Sequence, residues 1–340
     1  MQGDNPSRTA QQKIDQEKAS RRMHPDAAAV VRAIRESGRP SFENMAPHEA
    51  RAAYLAARIN NQKPPAEVAE TADLSAPGDA ASIPLRLYRG IGTAKDAALP
   101  CLLYMHGGGW LVGNLETHDV ICRRLANASH ACVVAVDYRL APEHPFPAAL
   151  RDAVAALRYI ASEAVNLRID AARLAVGGDS AGGNLAAVLA LMGRDGDLPA
   201  SVFQLLLYPV TDIARESESY ASVAPGVPIT AATMRYFVGC YAPNPADRAH
   251  WHASPINASL AGAPPALVLT CGHDPLCDEG QAYAAQLEQA GVRVTALHLN
   301  DQMHGFLMMD RLIGAASPVL DFAGTMLRDA WRASTSGPPL

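Results

Sequence analysis

The sequence is poor in aromatic residues, at 6% of 340, and in charge, at 19%. Its six cysteines, at positions 101, 122, 132, 240, 271 and 277, include no C-x-x-C pair. That excludes a zinc or disulfide framework, and in a reducing compartment such residues pack as small apolar side chains. No uninterrupted apolar run approaches the ~18 residues of a membrane-crossing helix. Positive charge is not in excess: 29 basic against 34 acidic residues leave a formal −5. No nucleic-acid partner and no membrane partner are therefore expected. The first 22 residues, through Arg22, lack the apolar centre of a signal peptide, so the expected location is cytoplasmic. Internal repeats and low-complexity tracts are also missing. What is there, 49% hydrophobic residues, is ordinary globular composition. A chain of this length accommodates one large α/β domain with an insertion.

The pattern along the chain divides it. A polar leader covers 1–22. From 23 to 70, Ala28, Val31 and Ile34, then Ala52, Leu55 and Ala56, recur at helical spacing on either side of Gly38-Arg39-Pro40 and predict two amphipathic helices. Pro64, Pro65 and Pro77-Gly78 then mark a boundary. Beyond it, short apolar runs fit for strands (83–89, 101–105, 132–136, 174–178, 203–208, 266–271 and 292–299) alternate with helical patterns (118–128, 148–164, 181–192, 279–290 and 318–331). Such alternation implies right-handed βαβ crossovers and a parallel sheet. The rhythm breaks over 212–252, where Pro225, Pro228, Pro243 and Pro245 surround a helical stretch at 231–240. That segment reads as an insertion between a first core part, 71–211, and a second, 253–334.

Gly178-Asp179-Ser180-Ala181-Gly182 is a G-x-S-x-G pattern set between a strand and a helix. Such a turn is too tight for large side chains at its glycine positions, and it lifts Ser180 clear of the sheet beside a helix N-terminus that favours a developing anion. His106-Gly107-Gly108-Gly109-Trp110 follows an earlier strand. Consecutive glycines let backbone N–H groups converge on an oxyanion. A phosphate loop would need Lys-Ser/Thr after the glycines, where this chain has Trp110-Leu111-Val112. The spacing of Gly107, Gly109 and Gly113 fails the dinucleotide fingerprint. Trp110 either lines the site or packs for stability.

A serine needs a histidine base oriented by a carboxylate, and in this strand–turn–helix setting the chain order is Ser, acid, His. The histidines after Ser180 are His250, His252, His273, His298 and His304. His250 and His252 fall in the insertion, His298 inside a strand, and His273 on the wrong side of the acid. His304 follows the last strand in a polar loop, 300–303, and is the expected base. The expected acid is Asp274, after the strand 266–271. Asp278 and Glu279 read as first-turn acids of the next helix, and Asp301 is the remaining competitor.

These pieces together resemble the bacterial hormone-sensitive-lipase family of esterases within the α/β-hydrolase superfamily. The resemblance rests on His106-Gly107-Gly108-Gly109-Trp110, Tyr138-Arg139-Leu140-Ala141-Pro142-Glu143, Gly178-Asp179-Ser180-Ala181-Gly182-Gly183-Asn184, Asp274-Pro275-Leu276, Asp278-Glu279-Gly280 and His304-Gly305-Phe306. It implies an α/β-hydrolase fold, a central mostly parallel sheet flanked by helices, with a helical cap from 23–70 and 212–252. It implies a carboxylic ester hydrolase working through an acyl-enzyme: nucleophile Ser180, acid Asp274, base His304, and oxyanion donors at Gly108, Gly109 and the Ala181 N–H, with Gly107 shaping the loop. Glu143 reads as part of a structural turn. Short-chain acyl esters, no cofactor and no metal follow from the resemblance, and a homodimer through 292–331 is admitted by it. Two other functions stay open: hydrolysis of an amide, lactam or carbamate on the same triad, and ligand binding without catalysis, as in the plant gibberellin receptors. Cys271 and Cys277 flank Asp274 and read as buried thiols rather than a redox switch.

Overall fold

The computed structural model describes residues 22–223 and 226–335. The leader expected at 1–22 lies, but for Arg22, outside the described residues.

An eight-stranded sheet organises the chain. In chain order its strands are β1 (Glu70–Ala76), β2 (Ile83–Arg89), β3 (Leu99–Met105), β4 (Cys132–Val136), β5 (Ile169–Asp179), β6 (Gln204–Leu207), β7 (Ala266–His273) and β8 (Val294–Met303). In space they lie β1-β2-β4-β3-β5-β6-β7-β8. β1 and β2 run antiparallel to their neighbours, and every pair from β4 to β8 is parallel. The central strands are apolar on both faces because helices cover both. Alternation along each strand sends Leu103, Met105, Val134, Val136, Leu174 and Val176 to one side, and Leu102, Tyr104, Val133, Ala135 and Ala175 to the other.

The first face is covered by α4 (Ala148–Ser162), α6 (Ala181–Arg194) and α10 (Cys277–Gln289), through residues such as Leu157, Leu185 and Leu287. The second is covered by α3 (Leu115–Ser129) and α11 (Ala316–Thr335), through Ile121, Leu125, Leu320 and Leu327. Helix α3 starts in a capping box, in which Asn114 Oδ1 accepts from the Thr117 N–H at 2.9 Å and Thr117 Oγ1 accepts from the Asn114 N–H at 2.9 Å. The short α5 (Ala164–Leu167) leads into β5. The remaining helices are α1 (Pro25–Glu36), α2 (Pro47–Asn61), α7 (Ser219–Ser222), α8 (Ala231–Tyr241) and α9 (Pro245–Arg248).

The structure corrects the sequence reading in three places. Strand β1 was not anticipated. It is an edge strand whose exposure alternates over Glu-Thr-Ala-Asp-Leu-Ser-Ala, so it has little apolar signal. β8 runs on to Met303, and 300–303 is strand, not loop. Its polar residues are tolerated because this edge strand pairs only with β7. The apolar stripes of the first two helices also turn differently. Helix α1 buries Ala27, Val30 and Val31 and leaves Ile34 exposed. Helix α2 turns Ala50, Ala53, Tyr54 and Ala57 inward and leaves Ala52, Leu55 and Ala56 exposed. Alanines on every side of α2 make its periodicity ambiguous.

Candidate active site

Ser180 stands at the turn between β5 and α6 with φ +55°, a left-handed conformation that is strained for a residue with a Cβ. The turn is held from both sides. The Ser180 N–H donates to the Leu207 carbonyl at 2.9 Å, and the Ser180 carbonyl accepts from the Asn184 and Val210 N–H groups at 3.0 and 3.2 Å. A methyl group on Gly178 or Gly182 would overlap the Met105 carbonyl oxygen, so this turn admits only glycine at both positions. That agrees with the sequence expectation for the motif.

The structure brings the three sequence-selected side chains together. His304 Nε2 lies 2.9 Å from Ser180 Oγ, and His304 Nδ1 lies 2.7 Å from Asp274 Oδ2. Asp274 follows β7, and its other oxygen accepts from the Leu276 N–H at 2.8 Å. His304 follows β8 directly, with the Tyr208 ring 4.7 Å from its own. All three side chains are buried. The histidine therefore touches both partners in a linear arrangement that orients one ring nitrogen and leaves the other at the serine hydroxyl.

The glycine loop follows β3. Gly108 and Gly109 both have positive φ, +118° and +58°, and Trp110 after them has φ +56°. The ring of His106 stacks on Tyr138 at 4.2 Å, and its Nδ1 lies 2.8 Å from the Gly107 carbonyl oxygen. Burial, with His118 nearby, pushes the His106 pKa down to about 3, so this ring is a neutral structural group. Trp110 is fully buried and stacked on Tyr241 at 4.1 Å, so the structure decides for packing.

A cavity of about 650 Å³ opens over Ser180 and His304. Gly108, Gly109 and Val112 form part of its floor, and α1, α2 and α8 supply apolar walls through Val30, Tyr54 and Phe237. Residues from the N-terminal helices and from the insertion thus face the same space as the serine.

The other singled-out residues lie elsewhere. Glu143 pairs with Arg51 of α2 across the turn that follows Pro142. Asp278 accepts from the Ser219 N–H at 2.8 Å, and Glu279 accepts from the Thr211 and Asp212 N–H groups at 2.8 and 3.2 Å. Asp301 belongs to β8 and its carbonyl accepts from the His24 N–H. His250 and His252 flank Trp251 in an aromatic stack, His273 ends β7, and His298 is exposed on β8 beside Thr270. None of the six cysteines forms a disulfide, and all but Cys240 are buried.

One cluster was not anticipated. Asp179, the variable residue of the serine motif, is buried with Tyr104, His118 and the Gly107 N–H around its carboxylate. Nothing in the spacing of these residues marks them in sequence.

Comparison with known proteins agrees with this fold. The sequence pattern of a family described as α/β-hydrolase fold matches residues 102–308. The ethyl acetate hydrolase of Pseudomonas putida is 39% identical over 304 residues, covering 86% of this chain and 95% of that protein. Carboxylic ester hydrolase LipN of Mycobacterium tuberculosis is 42% identical over 256 residues, covering 73% of this chain and 67% of that protein. Among solved structures, an ester-hydrolase from the metagenome of Lake Arreo superposes with a TM-score of 0.87 at 41% identity, covering 91% of this chain and 99% of that one.

Proposed function

This chain belongs to the α/β-hydrolase fold family, and from that premise we propose that it is a carboxylic ester hydrolase with nucleophile Ser180, base His304 and acid Asp274. The observation that carries this reading is His304 bridging Ser180 at 2.9 Å and Asp274 at 2.7 Å. Relatives named as ester hydrolases support the bond type.

In the proposed reaction the ester carbonyl oxygen sits against the N–H groups of Gly108, Gly109 and Ala181. Ser180 attacks as His304 takes its proton, and Asp274 stabilises the imidazolium that forms. The alcohol leaves with that proton, and water then releases the acyl group by the same path in reverse roles. Gly107 does not join these donors, because its N–H points to Asp179 at 2.9 Å. The developing oxyanion is met by backbone dipoles at the start of α6 and in the glycine loop, which are fixed in place before the reaction begins. No step requires a metal or an organic cofactor.

Residues 23–70 and 212–252 form the cap in this reading, and 71–211 with 253–334 form the core. The cavity of about 650 Å³ suits a small-molecule ester, and a relative named for ethyl acetate supports a short acyl group. A cytoplasmic location and a homodimer through 292–331 belong to the same proposal. Among the described residues no helix is long and apolar enough to cross a membrane.

A hydrolysis series on chromogenic esters from acetyl to palmitoyl, for wild type and Ser180→Ala, tests the reading. Turnover of short esters by the wild type alone is expected. Inactivity of a folded wild type on every ester would hand the site to another bond type or to ligand binding.

A further inference from the structure

We propose that Asp179 is a positioning residue for the reaction: its carboxylate holds the Gly107 N–H and thereby aims the next two N–H groups of the loop at the substrate oxygen. The inference rests on the esterase reading and extends it to a side chain outside the triad.

The geometry is specific. Asp179 Oδ1 accepts from the Gly107 N–H at 2.9 Å and from the Tyr104 hydroxyl at 2.8 Å. His118 Nε2 lies 3.3 Å from Oδ1 and 3.4 Å from Oδ2. His118 is itself anchored, with its Nδ1 2.9 Å from Thr117 Oγ1 in the capping box of α3. Asp179 and His118 are both almost fully buried. The carboxylate thus ties together β3, the glycine loop, α3 and the residue before the serine.

Electrostatics point the same way. Burial alone would push the Asp179 carboxyl up; the His118 imidazole and the hydrogen bonds from His118 and Tyr104 outweigh it and hold the group below the usual carboxylate range. A charged acceptor makes a stronger hydrogen bond to a backbone N–H than a neutral one. It also makes the loop's position insensitive to pH wherever the carboxyl stays ionised. The approach is so close that a methyl group on Gly107 would overlap Asp179 Oδ2, which accounts for the first glycine of the run.

The consequence for chemistry follows from the chain. The Gly107 N–H is hydrogen-bonded to the Asp179 side chain at 2.9 Å, with His118 Nε2 at 3.3 Å as its weaker second partner, and Asp179 directly precedes Ser180 in the chain, so this carboxylate sets the distance between the nucleophile and the donors that receive the oxyanion. Misplacing such donors by about 1 Å is enough to lose about 10²-fold in rate.

The test compares three variants on a short chromogenic ester, with a trifluoromethyl ketone as an analogue of the tetrahedral adduct. Asp179→Ala is expected to lower kcat about 100-fold with KM changed by less than about threefold, and to weaken the ketone by the same factor as kcat/KM. Asp179→Asn is expected to recover most of both, since an amide oxygen still accepts the Gly107 N–H and its NH₂ faces His118 Nε2. Asp179→Leu, which keeps the branching of the side chain without an acceptor, carries the test if the alanine variant fails to fold, and should match the predicted alanine loss. A merely structural role would lower the melting temperature while kcat and ketone affinity of the folded protein stay at wild-type values, and that result overturns the proposal. So does an asparagine variant no better than leucine. A folded wild type that hydrolyses no ester overturns the esterase reading and this inference together, whereas an active wild type matched by Asp179→Ala overturns this inference alone.

Discussion

Trp110 lies flat against Tyr241, ring centroids 4.1 Å apart and planes within 3° of parallel. One turn earlier on α8, Phe237 sits against Gly109, where an added methyl would run into its ring. The insertion therefore touches the glycine loop through neighbouring residues of one helix face, and the loop's shape depends on both.

Tyr241→Ala should consequently cost more than packing. Removing a buried aromatic pair partner destabilises by about 3 kcal/mol, and kcat should fall along with stability because Trp110 and Gly109 are adjacent. Tyr241→Phe, which keeps the ring, should restore both. Thermal melts and steady-state kinetics on the two variants decide it; a normal kcat in a folded Tyr241→Ala protein would separate the insertion from the loop.

Asp274→Asn keeps the shape of the proposed acid and removes its charge. The fold should be retained while kcat drops by about 10⁴-fold, on the general precedent for this kind of triad. Near-normal turnover would pass the acid role to another carboxylate, with Asp301 and Asp278 the first to replace.

Acid should destabilise the protein through His106. Its folded-state pKa, about 3, lies below the value near 6.5 of an unfolded histidine, so protons favour the unfolded chain. The stabilisation is complete above that unfolded value and is lost as pH falls from about 6.5 toward 3, at up to about 1.4 kcal/mol per pH unit. Urea melts at a series of pH values should show the slope, and His106→Asn should flatten it.

Arg51 clasps α2 to the core, donating from Nε to the Leu111 carbonyl and from Nη2 to the Ala141 carbonyl, both at 2.9 Å, and pairing with Glu143. Arg51→Ala should free the first two helices. Limited proteolysis should then cut between 37 and 46 faster than in wild type, and KM should rise more than kcat falls. Unchanged cleavage and KM would assign the clasp no part in holding the substrate cavity.

Thiol labelling of the native protein should be confined to Cys240, the one half-buried cysteine. Burial pushes the Cys271 thiol well above its ordinary range, so it is inert beside Asp274. Rapid modification of Cys271 or Cys277 in the folded state, with loss of activity, would restore the redox switch.

The three side chains of the proposed triad were legible in sequence because chain order and strand ends select them. Ser180, Asp274 and His304 each follow a recognisable apolar run, and the core strands read clearly because both their faces are buried. The edges were not legible. β1 pairs polar and small residues with β2, and the last residues of β8, Asn300 to Met303, look like a loop until their pairing with β7 is seen. Helix α2 misled for the opposite reason, since alanine suits either face. Asp179 was hidden because its meaning depends on Tyr104 and His118, which the sheet and α3 bring near from distant positions.

The order of the sheet has a consequence for biosynthesis. β5, β6, β7 and β8 stand side by side in the order in which a ribosome would make them. The turn that carries Ser180 is made well before Asp274, and His304 comes last, directly after the strand that closes the edge. His304 follows all eight strands in the chain, so a nascent chain has its serine long before its proposed base. On the proposed triad, translation products truncated before His304 lack the base and are hydrolytically silent.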